Sequence, residues 1–181
     1  MLWLPESHKD CTLDNFKWRS SLNGLKIVLD AFINETREKG LILIGDPGRG
    51  KTHLMIGVFK KMQERGLLLG SQLLFIEWVS LVNTVRELLA NKIIPEIAID
   101  KILPRVCIID DIKTPKGPLE EAILKHVIEA IYEGNKFVIL STNADDIKGL
   151  TARWELTDYH TSRIFSMTDV IRVKGVDWRL E

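Results

Sequence analysis

The sequence contains few cysteines and no surplus of charge of either sign. Its 181 residues include two cysteines, and 25 Lys plus Arg balance 25 Asp plus Glu. Cys11 and Cys107 form no metal-binding spacing and no disulfide framework, which is typical of a reducing location such as the cytoplasm. Because the net charge is zero, no overall positive field attracts nucleic acid, and any DNA contact must come from local patches.

Long apolar runs and targeting signals are missing as well. The most apolar long stretch, residues 67–85, is broken by Gly70, Glu77 and Asn83, so it predicts a buried strand followed by a helix instead of a membrane span. The first ten residues have neither the basic start nor the long apolar centre of a signal peptide. With 45% apolar and 28% charged residues, we expect a soluble globular protein without a membrane partner.

One phosphate-binding motif is present. Residues 45–52, GDPGRGKT, match the pattern G-x-x-x-x-G-K-S/T, with an apolar strand before them and helical apolar spacing after them. In this pattern glycines let backbone N–H groups surround a phosphate, Lys51 supplies positive charge, and the Thr52 hydroxyl can bind Mg²⁺. The dipole of the following helix points at the anion. The residues expected to contact the nucleotide here are Gly45, Asp46, Pro47, Gly48, Arg49, Gly50, Lys51, Thr52 and His53.

Strand-like and helix-like segments alternate along the rest of the chain. Strands are predicted at 41–44, 73–77, 106–109, 137–140 and 170–173, and helices near 25–33, 51–65, 80–91 and 119–132. Ser80 is predicted to cap the third of these helices. Residues 92–104 and 144–168 are each expected to form a loop with one short helix. Short apolar strands between helices are typical of a parallel sheet covered on both faces, which binds ligands at the carboxyl ends of its strands.

Two carboxylates follow the third predicted strand, in the segment VCIIDDI. We expect Asp110 to bind Mg²⁺ together with Thr52, and Asp111 to act as the general base that polarises an attacking water. An acidic turn that merely ends a strand is the simpler alternative. The phosphate-binding motif in the same chain favours the catalytic interpretation.

Three weaker features have a structural alternative. Asn143, or Thr142 beside it, follows the fourth strand and can orient water near a γ-phosphate, although an Asx turn has the same pattern. Arg163 shortly precedes the last strand, where spacing alone favours an ordinary surface arginine over one that stabilises phosphoryl transfer. Lys113 and Lys116 form a small basic feature near the site, and solvated surface charge is the favoured interpretation for them.

Taken together, these motifs resemble the AAA+ ATPases of the DnaC/IstB-like branch, which includes bacterial and phage helicase loaders and transposition helper ATPases. The matching segments span nearly the whole chain and are TLDNF (12–16), Asn23, GDPGRGKTHL (45–54), IIDDI (108–112), STN (141–143), SR (162–163) and VKGVDWR (173–179). The doubled aspartate, GKTHL and the closing G-x-D-x-R are fairly specific for this branch in combination.

The resemblance implies an α/β fold of three αβα layers, the P-loop NTPase fold of AAA+ type. Its parallel five-stranded sheet has the order 5-1-4-3-2, with little or no C-terminal helical lid. Residues 1–181 are expected to form a single domain, in which the segment 1–39 borders the nucleotide and 40–181 forms the core. Phe16 of TLDNF would border the adenine.

The resemblance also implies roles for individual residues. Asn143 resembles the first sensor, and Arg163 resembles the arginine finger that reaches the γ-phosphate of a neighbouring subunit. Arg179 is similar to the residue that does second-sensor work when the lid is missing. With Lys51 and Asp111, Asn143 and Arg163 complete the expected catalytic set.

The function implied is ATP hydrolysis with Mg²⁺, coupled to self-association on ATP binding. The first expectation is a helicase loader or primosome component in DNA replication, with a replicative helicase as partner. The alternatives are a transposition helper that recruits a transposase, and a nucleotide-gated DNA- or protein-binding module with little hydrolysis. Single-stranded or double-stranded DNA is a further expected partner.

Overall fold

Five parallel strands form one sheet in the computed structural model, which describes residues 4, 6–19, 22–34, 39–66, 73–175 and 177. The strands are β1 (Gly40–Ile44), β2 (Leu73–Glu77), β3 (Val106–Ile112), β4 (Phe137–Thr142) and β5 (Thr168–Arg172). Their order in the sheet is β2-β3-β4-β1-β5, and every neighbouring pair is parallel. The predicted order 5-1-4-3-2, read from the other edge, is therefore confirmed.

Helices cover both faces of this sheet. They are α1 (Asn23–Asn34), α2 (Lys51–Glu64), α3 (Trp78–Ala90), α4 (Pro95–Ile102), α5 (Pro118–Glu133), α6 (Ile147–Arg153) and α7 (Asp158–Met167), and a short 3₁₀ helix spans Glu6–His8. Successive side chains of a strand point to opposite faces. Accordingly, Leu41 and Leu43 of β1 pack with α1 and α2, whereas Ile42 and Ile44 pack with α3 to α7. These two cores make the three αβα layers.

Several predicted boundaries are wrong. Strand β4 continues to Thr142 instead of ending at 140, and β5 spans Thr168–Arg172 instead of 170–173. Strand β3 does not stop before Asp110 but continues to Ile112, because Thr142 pairs with Ile112 beyond the two aspartates. Helix α3 begins at Trp78, two residues before the predicted cap Ser80, and its N-cap is Glu77. Trp78 is 2% exposed, so burial of the indole extends the helix toward the strand.

The segment 144–168 contains two helices instead of the single one predicted. Asp146 caps the short α6 by accepting a hydrogen bond from Gly149 N at 2.7 Å. A helix of seven residues is too short for apolar periodicity to reveal it. The second helix, α7, leads directly into β5, and no helix follows β5 among the described residues.

Both cysteines lie in the part of the chain that the structure describes. Both cysteines carry free thiols, and burial raises the pKa of the Cys107 thiol to about 12. None of the helices in the described ranges is both long enough and apolar enough to cross a bilayer.

Candidate nucleotide site

A cavity of about 1150 Å³ opens at the carboxyl ends of the strands. Its walls come from the phosphate loop, the ends of β2, β3 and β4, and the N-terminal segment. The structure brings ten of the predicted site residues to this cavity, namely Phe16, Pro47, Gly48, Gly50, Lys51, Thr52, His53, Asp110, Asp111 and Asn143. The volume is sufficient for a nucleotide, since ligand pockets usually measure about 300–1,000 Å³.

Lys51 is the first residue of α2 and is 7% exposed. Its Nζ donates hydrogen bonds to Gly45 O at 2.7 Å, to Asp46 O at 2.8 Å and to Asn143 Oδ1 at 2.8 Å. Gly50, the N-cap of α2, has no side chain to cap the helix. The N-terminus of α2 and the ammonium group therefore present positive potential to the same cavity, which suits a phosphate.

Two glycines of the loop have positive φ angles and lie against the segment that follows β5. A Cβ on Gly45, whose φ is +136°, would lie 2.4 Å from Val173 O. Gly48 has a φ of +73°, and a Cβ there would lie 1.9 Å from Asp177 Oδ1. Val173 and Asp177 of the VKGVDWR motif thus pack against the phosphate loop, while Arg179 lies outside the described residues.

Asp46 and Arg49 of the loop contact each other. Arg49 Nη2 lies 3.0 Å from Asp46 Oδ2, and neither side chain is among the described residues that line the cavity. The loop therefore offers the cavity Gly48, Gly50, Pro47, Lys51 and Thr52, whereas Asp46 and Arg49 form a local ion pair.

Thr52 and Asp110 meet where the loop faces β3. Thr52 Oγ1 donates to Asp110 Oδ2 at 2.7 Å, and Asp110 is 7% exposed. A hydroxyl and a carboxylate are the hard oxygen donors that Mg²⁺ prefers, and it usually takes one or two protein ligands together with phosphate oxygens and waters. This pair fits the predicted metal site.

Asp111 differs from Asp110 although it is the next residue. Its side chain is 45% exposed, and its Oδ1 accepts a hydrogen bond from Asn143 Nδ2 at 3.1 Å. Its Oδ2 lies 3.4 Å from Lys113 Nζ. The buried aspartate therefore faces the threonine of the loop, and the exposed one is accessible to water.

Thr142 does not share the position of Asn143. Thr142 is fully buried, and its Oγ1 donates to Ile112 O at 2.6 Å. Asn143 lines the cavity and contacts both Lys51 and Asp111. Of the two residues considered for orienting water, Asn143 has the side chain that reaches the cavity.

The N-terminal segment is bound to α2 beside the cavity. His53 Nε2 lies 2.8 Å from Thr12 O and 2.9 Å from Asn15 Oδ1, two acceptors that require the proton on Nε2. The ring centroids of Phe16 and His53 lie 5.2 Å apart, at an interplanar angle of 76°. A Cβ on Gly57 of α2 would lie 2.9 Å from Leu13 N. The TLDNF segment thus forms a wall of the cavity next to the phosphate loop.

Comparison with known sequences identifies the family of this chain. The family described as IstB-like ATP binding protein matches residues 4–181. The chain belongs to this family. No curated protein sequence matches this IstB-like chain.

Solved structures share the fold of this IstB-like protein. A crystal structure of the DnaC helicase loader has a TM-score of 0.76 at 20% identity, over 94% of this chain and 100% of that chain. A crystal structure of DnaI has a TM-score of 0.68 at 18% identity, over 97% and 94% of the two chains. AMPPCP-bound DnaA from Aquifex aeolicus has a TM-score of 0.67 at 16% identity, over 92% of this chain and 50% of its own. The fold is thus the P-loop NTPase fold of AAA+ proteins.

Arg163 of the IstB-like protein is not among the described residues that line the cavity. Its guanidinium carbon lies 3.9 Å from the centroid of the Tyr159 ring and 4.8 Å from that of Tyr132. Its Nη1 lies 3.7 Å from Glu133 Oε1 at the end of α5. Both tyrosines are about half exposed, so this arginine occupies an aromatic surface cluster and not the chain's own site.

Sequence reasoning did not identify several residues of the cavity wall. Glu77 and Trp78 line it because β2 ends there, and Glu77 is the register partner of Asp110. Lys113, interpreted as surface charge, contacts Asp111. Ser141 lines the cavity although it was noted only as part of STN. Glu77 could have been predicted to line the site, because it ends a parallel strand that neighbours the acidic strand.

Proposed function

We propose that this chain works as a single ATPase domain that binds ATP with Mg²⁺ and hydrolyses it to ADP and phosphate. The observation that carries the proposal is the contact between the phosphate loop and the acidic end of β3, where Thr52 Oγ1 donates to Asp110 Oδ2 at 2.7 Å. Phosphoryl transfer needs a phosphate cradle, a cation site and a group that orients the nucleophile. The residues for all three line one cavity.

Individual polar residues of the cavity have their own roles in this reaction. Lys51 and the N-terminus of α2 bind the outer phosphates, and Thr52 with Asp110 holds Mg²⁺. When bound, Mg²⁺ neutralises charge that develops on the phosphoryl oxygens. Asp111 accepts the proton of a water whose oxygen bonds to the γ-phosphorus, while the bond from that phosphorus to the ADP oxygen breaks. Asn143 orients this water.

Nucleotide affinity tests the proposal directly. The parent and Lys51→Ala are titrated with ATP and Mg²⁺ in a calorimeter, with Lys61→Ala as the matched control. Lys61 is also on α2, and its Nζ pairs with Glu64 Oε2 at 3.0 Å, away from the cavity. Because hydrogen bonds to charged groups contribute ~1.5–3 kcal/mol, we expect Lys51→Ala to weaken binding about 100-fold. Unchanged affinity in Lys51→Ala would remove the central assignment.

The cellular role that we propose is helicase loading or primosome assembly in DNA replication. Its support is the fold shared with the DnaC helicase loader over 94% of this chain. The partners would be a replicative helicase and DNA, and second-sensor work by Arg179 belongs to the same proposal. The family description, IstB-like ATP binding protein, supports a transposition helper as the second candidate, with a transposase as partner.

A pull-down from the source cell separates these roles. The chain is immobilised with ATP or with a slowly hydrolysed analogue, and bound proteins are identified by mass spectrometry. Capture of a replicative helicase supports the first role, and capture of a transposase supports the second. If nucleotide state controls capture but turnover is negligible in every assembly, the chain is a nucleotide-gated binding module.

A further inference from the structure

One β4 residue lies opposite both aspartates of β3. Ile109 pairs with Leu140 and Ile112 pairs with Thr142, so two residues of β3 stand against Ser141 alone. This is a β-bulge, which re-aims side chains next to functional sites. In a regular strand, neighbouring side chains point to opposite faces of the sheet. The bulge instead brings Asp110 and Asp111 to the same cavity.

The hydroxyl of Ser141 contacts both aspartates. Ser141 Oγ donates a short hydrogen bond to Asp110 Oδ1 and accepts one from Asp111 N at 2.9 Å. Ser141 is 1% exposed, so solvent does not supply these bonds. The second oxygen of Asp110 accepts from Thr52 at 2.7 Å. The Asp110 carboxylate is therefore oriented from two sides, by Ser141 and by Thr52.

The same hydroxyl also stabilises an unusual backbone conformation. Asp111 has a φ of +54°, in the left-handed region that non-glycine residues rarely adopt. Its N–H is bound by Ser141 Oγ, and its carboxylate by Asn143 Nδ2 at 3.1 Å. A serine suits this position because a hydroxyl is both a donor and an acceptor. Alanine would supply neither group.

We propose that Ser141 is a positioning residue that couples the magnesium-ligand aspartate to the aspartate facing water. The proposal rests on the proposed function of this site as a nucleotide–Mg²⁺ site. Ser141 fixes the Asp110 carboxylate toward Thr52, and it fixes the bulge that directs Asp111 into the cavity. Its loss therefore weakens Mg²⁺-dependent binding and turnover together, and it spares the contacts that the phosphate loop makes by itself.

The test compares Ser141→Ala with Thr168→Val in the full 181-residue chain. Thr168 is also a buried hydroxyl, 3% exposed, and its Oγ1 donates to Ile164 O at 2.6 Å at the first residue of β5. The readouts are Tm, ADP affinity in excess EDTA, and the Mg²⁺ concentration that half-saturates the gain in ADP affinity. Both variants lose a buried hydrogen bond, but only Ser141→Ala loses contacts with the aspartates.

We expect Ser141→Ala to bind ADP in EDTA like the parent and to raise the half-saturating Mg²⁺ concentration about tenfold, the usual effect of losing a group that orients a metal ligand. Thr168→Val should lower Tm without moving that concentration. If Ser141→Ala does not fold, Ser141→Cys keeps a side chain of similar size with a weaker donor and should shift the Mg²⁺ requirement in the same direction.

Two results would overturn the inference while leaving the proposed function intact. One is a parent-like Mg²⁺ requirement in the Ser141 variants, and the other is an equal shift in Thr168→Val. A parent protein whose ADP affinity does not respond to Mg²⁺ at all would overturn both proposals together.

Discussion

The side-chain amide of Asn143 joins Lys51 to Asp111. Its Oδ1 accepts from Lys51 Nζ at 2.8 Å, and its Nδ2 donates to Asp111 Oδ1 at 3.1 Å. One amide thus contacts both the lysine of the phosphate loop and the exposed aspartate. Only an amide makes both contacts at once, because its oxygen accepts from the ammonium group while its nitrogen donates to the carboxylate.

Asn143→Asp separates these two contacts. The variant keeps an acceptor for Lys51. It loses the donor to Asp111 and places a second carboxylate beside that residue, so two like charges are in contact. We expect ATP affinity within a few-fold of the parent and turnover lowered about 100-fold, the lower end of what general acid–base catalysis contributes. Equilibrium titration and steady-state phosphate release measure the two. An equal loss in affinity and turnover would argue against a role for Asn143 in the chemical step.

Replacing Asp110 or Asp111 by asparagine tests whether the two aspartates have different roles. Asp111→Asn should retain ATP–Mg²⁺ binding and lose turnover by about 10²- to 10⁴-fold, because an amide accepts no proton from water. Asp110→Asn should instead weaken binding in Mg²⁺ more than binding in EDTA, since Asp110 faces Thr52. Titrations in both conditions and phosphate release distinguish the variants. Loss of binding in Asp111→Asn would make that residue structural.

Much of the site could be predicted because it depends on the order of parallel strands. Once β1, β3 and β4 are adjacent, their carboxyl ends must bring Lys51, Asp110 and Asn143 to one edge of the sheet. The local signals for this arrangement, a glycine-rich loop and polar residues after apolar strands, are visible in the sequence itself.

The bulge could not be predicted in the same way. The polarity of Asp110 and Asp111 indicates the end of a strand, but a neighbouring strand that bonds beyond them extends β3 to Ile112. Such an extension depends on tertiary pairing, which local pattern does not encode. The bridging contacts of Ser141 escaped prediction for the same reason.

The surroundings of His160 predict a pH dependence of stability. Burial lowers the pKa of His160 and outweighs the neighbouring Glu129 carboxylate, which raises it, while Lys125 and Arg163 lower it further. The unfolded chain therefore takes up a proton that the folded chain resists, so stability falls as the pH falls through the ordinary histidine value of about 6.5.

Urea unfolding at pH 7.5 and pH 5.5 measures this effect in the parent and in His160→Gln. We expect the parent to lose more stability than the variant between the two values, because only the parent has an imidazole to protonate. Glutamine keeps a polar side chain beside Thr157, whose Oγ1 lies 2.6 Å from His160 Nδ1. The same loss of stability in both proteins would mean that His160 does not cause it.

The position of Arg163 predicts a defect that is visible only in assemblies. Its guanidinium stacks on Tyr132 and Tyr159, outside the cavity of its own chain. Arg163→Ala should therefore leave ATP affinity of the isolated subunit unchanged. If the arginine acts on a neighbour's γ-phosphate, the variant should lower assembly-dependent turnover by about 10³-fold or more.

Phosphate release measured across a range of protein concentrations reveals this difference. Turnover per subunit should rise with concentration in the parent and stay flat in Arg163→Ala. Arg86→Ala is the matched control, because Arg86 is also a partly exposed arginine in an ion pair, with its Nη2 2.9 Å from Glu120 Oε1. If Arg163→Ala assembles and turns over like Arg86→Ala and the parent, a different residue completes the neighbouring site. A flat profile in the parent itself would instead mean that each subunit hydrolyses ATP with its own residues alone.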